Sequence, residues 1–228
     1  MAHTEQFVTA GVTEPVGRMR EFRSRWPSED GVAVFNRVYL AVTEEVGRRI
    51  DAGEFPDRGA AVTLGVLFAR RYLTAVERAE SGARPPACWR PLFRYRRHPG
   101  VRTIQFALAG INAHIGHDLA LAVVDSCEAL GCEPADLEDE FDRVGEILTV
   151  MEERVREDLM PGPDLLETAG PLTHLLGSWS LDRARDGAWS AARLLWNVRR
   201  LPDLAGEFTE GLDRAVGLVG RCLLTPWA

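Results

Sequence analysis

Apolar residues recur at intervals of three and four along most of this chain, which is the spacing of an amphipathic α-helix. Residues 29–53 follow this pattern, and Gly53 supplies a stop signal at the end of the segment. Residues 57–82 repeat it, and Asp57 stands where a helix N-cap is expected. The pattern predicts two consecutive helices in the first third of the chain.

The most apolar of the predicted helices runs from Gln105 to Asp125, in the sequence "QFALAGINAHIGHDLALAVVD". Further helical segments follow at 133–160, 168–196 and 205–224. No run of alternating β-branched residues, repeat of fixed period or separating linker occurs. We therefore predict an all-α fold, a single-domain helical bundle of about six or seven helices around the central apolar helix. The domain covers residues 1–228, with roughly the first 25 residues peripheral.

Composition places the chain among folded globular proteins, because 46% of its residues are hydrophobic and 27% are charged. The formal net charge is −7, and the basic cluster at residues 90–98, "RPLFRYRRH", is short, so no nucleic-acid partner is expected. All 27 basic residues are arginine. The absence of lysine from the sequence excludes a Schiff-base lysine, a Ser–Lys dyad and a lysine-containing phosphate loop.

The cysteines and the N-terminal sequence predict the cellular compartment of the protein. The four cysteines form no C-x-x-C pair, which is typical of scattered thiols in a reduced compartment. The segment "MAHTEQFVTAG" lacks the basic and apolar regions of a signal peptide. The polar residues inside the central helix make it a poor membrane span. We expect a soluble cytoplasmic protein with no membrane partner, and its oligomeric state is open.

Polar residues stand in the middle of this otherwise hydrophobic central helix. On a helix of about 3.6 residues per turn, His114, His117 and Asp118 share one narrow stripe, and Asn112 lies roughly opposite. Two interpretations fit: the stripe faces water, or it lines an internal cavity in a helix that is packed on most sides. Glu128 extends the stripe, as a water-facing one would, whereas the wide apolar surface and Asn112 are not explained by a solvent stripe alone.

Two kinds of chemistry suit this stripe. His114 and Asp118 are four residues apart and can converge on one point, as half of a site for a divalent metal such as zinc, iron or manganese. The candidates for the missing ligands are His174, Asp57, Glu44 and Glu45. Without a metal, the same pair is an imidazole oriented by a carboxylate, which can act as a general acid or base near neutral pH. Serine-hydrolase, P-loop and dinucleotide-binding motifs are absent from the sequence, so no nucleotide cofactor is indicated.

Three segments carry a family resemblance. The segment "FALAGINAHIGHDLALAV" (106–123) contains a G-I-N-A-H-I-x-x-D-L core, "LGVLFARRYLTAV" (64–76) precedes it, and "RDGAWSAARLL" (185–195) contains R-x-x-A-W. Together they resemble a bacterial family, the domain-of-unknown-function family numbered 5995. The matching positions are Asn112, His114, Asp118, Tyr72, Arg185 and Trp189, whereas His117 falls where the family is variable. The resemblance implies an all-helical fold with a polar centre, and it supplies no reaction.

These observations lead to an expected function. We expect a small soluble bacterial enzyme that acts on a small, largely hydrophobic organic substrate by hydrolysis, cyclisation or isomerisation, in specialised metabolism. The expected catalytic residues are His114, Asp118 and Asn112; the expected substrate-binding residues are Tyr72, Arg185, Trp189 and His117; the expected metal ligands are His114, Asp118 and His174. The alternative is a non-catalytic ligand-binding or interaction module, in which the same side chains form a structural hydrogen-bond network.

Overall fold

The computed structural model describes residues 2–159 and 180–226, and the side chains of residues 12–151 and 180–226. Within these ranges the chain forms helices and no β-strand, which confirms the predicted all-α fold. Eight α-helices lie there: α1 Ala2–Arg25, α2 Gly31–Asp51, α3 Arg58–Glu80, α4 Arg90–Tyr95, α5 Thr103–Leu130, α6 Glu138–Leu159, α7 Leu181–Val198 and α8 Pro202–Leu223. The sequence-based prediction did not include α1 or the short α4.

The residues that were predicted to mark helix boundaries do so in the structure. Asp57 is the N-cap of α3, and its side chain accepts a hydrogen bond from the backbone N–H of Ala60 at 3.0 Å. Gly53 follows α2 with a φ of 75°, a backbone conformation that glycine adopts without strain. Gly131, with a φ of 68°, ends α5 in the same way.

The N-terminal helix α1 packs against α2 and α3, and the side chains described for residues 12–25 include core residues. This differs from the sequence-based expectation that the segment is peripheral. The side chains of Met19 and Phe22 are completely buried, and Asn36 of α2 donates a hydrogen bond to the backbone carbonyl of Met19 at 2.9 Å. The apolar residues Val12, Val16, Met19 and Phe22 recur at intervals of four and three, so the helical spacing is present in the sequence although no helix was predicted from it.

The central helix, α5, packs against four neighbours. Its first half lies against α2 and α8, and its second half against α3 and α7. A Cβ atom at Gly110 would lie 2.3 Å from the ring of Phe35, and one at Gly31 would lie 2.4 Å from the ring of Phe106. These two glycines therefore allow α2 and α5 to approach closely.

Among the described helices, α5 alone is long and apolar enough to cross a membrane, judged by length and composition. Its most apolar window is 72% buried inside the bundle, as expected for the core helix of a soluble protein. The central position that the sequence predicted for this helix is confirmed.

Candidate functional site

The polar stripe of α5 coincides with a single π turn, from His114 to Asp118. The backbone N–H of Leu119 donates to the carbonyl of His114, so this bond spans five residues instead of four. Such turns occur mostly as single bulges in α-helices and often at functional sites. The exposed fractions of His114, His117 and Asp118 are 2%, 5% and 2%. At these residues the stripe faces the protein interior, and the water-facing interpretation is wrong.

Farther along α5 the same stripe reaches the surface. Asp125 is partly exposed and forms an ion pair with Arg71 of α3. Glu128, one turn later, is exposed. The water-facing interpretation therefore describes the C-terminal end of the stripe and not its centre.

The carboxylate of Asp118 is the acceptor for three side-chain donors. Nδ1 of His114 lies 3.0 Å from Oδ2, and Nδ1 of His117 lies 2.8 Å from Oδ1. The indole Nε1 of Trp89 donates to Oδ2 at 2.9 Å. Both imidazoles thus converge on Asp118 itself, which uses both of its oxygens to hold them.

These contacts determine the ionisation of Asp118 and the tautomers of the two imidazoles. Burial raises the pKa of the Asp118 carboxyl, but the hydrogen bonds from His114 and His117 outweigh burial and hold this pKa below its ordinary range. An ionised carboxylate can only accept hydrogen bonds, so the Nδ1 atom of each imidazole carries hydrogen. When either ring is neutral, its free lone pair is therefore on Nε2.

Aromatic rings surround His114 on several sides. The ring of Phe68 stacks on the imidazole with centroids 3.6 Å apart, and the ring of Tyr39 meets it edge-on at 4.4 Å. Three further rings lie within 6.3 Å of it: Phe35, Tyr72 and Trp89. Among the residues whose side chains are described, none forms a hydrogen bond with the buried Nε2 of His114. Burial lowers the pKa of His114, although the hydrogen bond to Asp118 partly opposes this shift, so the imidazole is held in its neutral form.

A second polar cluster adjoins the first through His117. Its Nε2 lies 3.9 Å from Oδ1 of Asp213, on α8. The two oxygens of Asp213 accept hydrogen bonds from the backbone N–H groups of Ala87 and Cys88, at 2.7 and 2.8 Å. One ligand atom each from Cys88, His117 and Asp213 lies within 4.8 Å of the others. In the part of the chain with described side chains, this group has metal-ligand chemistry, whereas His114 and Asp118 belong to no such group.

The other predicted site residues occupy different places. Asn112 donates to the backbone carbonyl of Val216 on α8 at 3.0 Å, so its amide connects two helices. Tyr72 lies in the ring cluster around His114, but its hydroxyl donates to Asn36 at 3.1 Å. Burial raises the pKa of this hydroxyl well above its usual value.

Arg185 and Trp189 contact α6, away from the aromatic rings around His114. The guanidinium of Arg185 donates to the backbone carbonyl of Phe141 at 2.7 Å and lies over the Phe141 ring. The indole of Trp189 packs on the same ring, with centroids 4.6 Å apart. A Cβ atom at Gly145 would lie 1.9 Å from Nη1 of Arg185, so this glycine makes room for the guanidinium. These contacts join α7 to α6, and a substrate-binding role for either residue stays a prediction.

The predicted additional metal ligands that lie within the described residues do not join His114 and Asp118. Glu44 pairs with Arg20, and Glu45 pairs with arginines of its own helix. Asp57 caps α3. His174 lies outside the described residues.

Sequence reasoning missed three residues that the structure brings to the site: Trp89, Cys88 and Asp213. Trp89 and Cys88 lie in the Pro-rich connection between α3 and α4, where the periodicity of apolar residues gives no information about burial. The indole N–H of Trp89 is the one available signal, because a buried tryptophan usually needs an acceptor. Asp213 stands in an amphipathic helix among other charged residues, and nothing in the local sequence distinguishes it from a surface carboxylate.

One known protein family matches this chain over a range that includes all residues of the site. Neither a curated protein nor a solved structure matches the chain. A family described as "Family of unknown function (DUF5995)" matches residues 12–226, nearly the full length. The match includes the π turn, Trp89 and Asp213, and it confirms the resemblance that the three sequence segments indicated. The chain belongs to the DUF5995 family.

Proposed function

We propose that this protein is an enzyme in which His114, oriented by Asp118, acts as a general acid–base on a small, largely hydrophobic organic substrate. One observation carries the proposal: Nε2 of His114 is buried and has no hydrogen-bond partner among the described side chains and backbone, while Nδ1 is held by Asp118. A neutral imidazole held in this way has a fixed tautomer and a lone pair that can accept a proton.

The energetic cost of this arrangement supports a chemical role. Leaving a buried acceptor without a partner costs about 1–3 kcal/mol of folding stability. Residues that are suboptimal for stability are common at functional sites. The surrounding rings provide apolar contacts that suit a hydrophobic substrate.

The ring of Phe68 provides a route to His114. Phe68 is half-buried, whereas the other four rings around the imidazole are buried. Because Phe68 covers one face of His114, rotation of this side chain opens the imidazole toward the surface of α3. The lone pair of Nε2 lies in the plane of the imidazole, so a substrate that enters over the uncovered face reaches around the edge of the ring to place a hydroxyl or an acidic C–H group beside Nε2. In cyclisation or isomerisation, His114 accepts that proton and returns it to the rearranged group. In hydrolysis, it accepts a proton from a water molecule that enters with the substrate and passes it to the leaving group.

The rest of the proposal follows from composition and charge. A reduced cytoplasmic location in a bacterium fits the unpaired cysteines, and a role in specialised metabolism fits the apolar surroundings of His114. The partner is a small molecule, and neither nucleic acid nor membrane is part of the proposal. The net charge of −7 is consistent with a partner other than nucleic acid.

The alternative is a non-catalytic module in which these residues form a structural hydrogen-bond network. Asp118 has three donors, and Gln105 and Asn112 connect α5 to the backbone carbonyls of Leu223 and Val216 on α8. This network would stabilise the bundle with no ligand present.

A panel of small apolar esters, lactones, epoxides and isomerisable ketones tests the proposal. We expect turnover of at least one class, reduced about 10²- to 10⁴-fold by His114→Gln or His114→Phe. His98→Gln, at an exposed position in the loop after α4, is the matched control and should keep full activity. If the whole panel is inert and His114→Phe is as stable as the wild type, the acid–base proposal is wrong. Inertness with a large loss of stability in His114→Phe would support the structural network.

A further inference from the structure

We propose that Cys88, His117 and Asp213 bind one divalent metal ion of the zinc type. This site differs from the acid–base pair in its residues, and it does not depend on the proposed function. The three ligands come from separate parts of the chain: the connection before α4, the π turn of α5 and the middle of α8.

The spacing of the ligand atoms suits a tetrahedral ion. Ligands that bind zinc at about 2.0–2.3 Å lie about 3.3–3.8 Å from one another. The Nε2 atom of His117 and Oδ1 of Asp213 are 3.9 Å apart, and the ligand atoms of all three residues lie within 4.8 Å of one another. Small side-chain rotations therefore bring all three to bonding distance.

The orientation of His117 is the second observation that points to a cation. Its Nδ1 donates to Asp118, so in the neutral ring the lone pair on Nε2 points toward the carboxylate of Asp213. Two acceptors that face each other repel, and either a proton on Nε2 or a metal cation between them removes the repulsion. A metal-binding imidazole usually donates its other N–H to a carboxylate or a carbonyl, which is the role that Asp118 fills here.

The backbone around the site is held in place independently of any ion. Both oxygens of Asp213 accept N–H groups of Ala87 and Cys88. A Cβ atom at Gly217 would lie 2.6 Å from the carbonyl oxygen of Ala87, so α8 approaches this connection closely. The positions of Cys88 and Asp213 relative to each other are therefore set by direct backbone contacts.

The donor set indicates which ion would bind. One sulfur, one imidazole nitrogen and one carboxylate oxygen suit zinc and disfavour magnesium and calcium, which prefer oxygen ligands. The ion displaces the thiol proton of Cys88, which is released to solvent. Three protein ligands leave one tetrahedral position for water or another small ligand, on the side where Asp213 is partly exposed.

Cobalt(II) is a direct probe of this site, because a thiolate bound to tetrahedral cobalt gives a charge-transfer band and intense visible bands. We expect tag-free wild-type protein to bind one equivalent with such a spectrum and to release it to zinc. Cys88→Ser should lose the charge-transfer band and bind more than about 100-fold more weakly, since losing a ligand exceeds the 10- to 100-fold effect of an outer-shell partner. Cys222→Ser, at an exposed cysteine, is the matched control and should match the wild type.

Two results would overturn the proposal: a wild-type cobalt spectrum without thiolate bands, or bands that survive Cys88→Ser. If circular dichroism shows that Cys88→Ser is unfolded, X-ray absorption on zinc-loaded wild type decides instead. One sulfur with nitrogen and oxygen neighbours supports the site, and zero or several sulfurs excludes it. None of these measurements uses enzymatic activity, so their outcome is separate from that of the acid–base proposal.

Discussion

The indole of Trp89 donates to the same oxygen of Asp118 that receives Nδ1 of His114. The Trp89 bond is 2.9 Å long and joins residues 29 positions apart in the chain. Trp89 precedes α4, so this contact attaches the Pro-rich connection to the centre of α5. Because Oδ2 of Asp118 is shared, the orientation of His114 depends on a residue outside its own helix.

Replacing Trp89 by phenylalanine tests this dependence. The change keeps an aromatic ring but removes the N–H donor, and hydrogen bonds to a charged group are worth about 1.5–3 kcal/mol. We expect a loss of that size in the free energy of unfolding, measured with urea. Trp26→Phe is the control, because Trp26 is half-buried and stacks on Phe22 away from Asp118. Equal losses in the two variants would show that the bond to Asp118 is unimportant.

The neutral state of His114 predicts a pH dependence of stability. Burial holds the pKa of His114 below the ordinary value of 6.5 in the folded protein, whereas the unfolded chain has the ordinary value. Between these two pKa values the unfolded state binds a proton that the folded state does not. The free energy of unfolding therefore falls as the pH drops below about 6.5, by at most about 1.4 kcal/mol per pH unit for one proton.

His114→Phe removes this contribution and also removes one of the three donors to Asp118. The variant should have a shallower slope of stability against pH from about 6.5 downward, and His98→Gln should keep the wild-type slope there. Asp118, Arg71 and His117 also act on the pKa of His114, and the lowered pKa of Asp118 places its own loss of stability at a more acidic pH. An identical slope in wild type and His114→Phe would contradict a buried neutral imidazole.

Two glycines one turn apart on α8 should respond in opposite ways to alanine. At Gly217 the added methyl group would lie 2.6 Å from the backbone oxygen of Ala87, which cannot rotate away. At Gly220 the nearest atoms are 3.6 Å away or more, an ordinary contact. Thermal or urea unfolding should show a loss of about 1–3 kcal/mol for Gly217→Ala.

Gly220→Ala should be neutral or gain up to about 1 kcal/mol from helix propensity. Gly217→Ala should also weaken cobalt binding if Cys88 and Asp213 are ligands, because it moves the backbone that holds them. Similar stability in the two variants would mean that α8 and the connection before α4 are farther apart than described.

Arg185 connects α7 to α6, and its removal should affect stability. Arg185→Ala removes a hydrogen bond to the carbonyl of Phe141 and the packing over its ring, at an expected cost of about 1–3 kcal/mol. Arg193→Ala changes an exposed arginine on the same helix and should stay within about 0.5 kcal/mol of the wild type. Should a substrate be found, normal stability with lost turnover in Arg185→Ala would instead support the substrate-binding prediction.

The local sequence was sufficient to identify most of the helices. The intervals of three and four located α2, α3 and α5, and single residues such as Asp57 and Gly53 marked boundaries that the structure confirms. The apolar positions around His114 and Asp118 indicated an interior site, and both side chains are buried. These features are local, because backbone hydrogen bonding and the polarity of neighbouring residues determine them.

Tertiary contacts decided which groups meet at that site. A helical wheel assumes 3.6 residues per turn, whereas the π turn at His114 changes the direction of the residues that follow it. Trp89, Cys88 and Asp213 reach the stripe from a connection and from a distant helix, so no spacing within one segment contains them. The sequence by itself determined that α5 buries polar groups, and packing of the whole chain determined their partners, since hydrogen bonds between distant residues form only when the bundle brings them together.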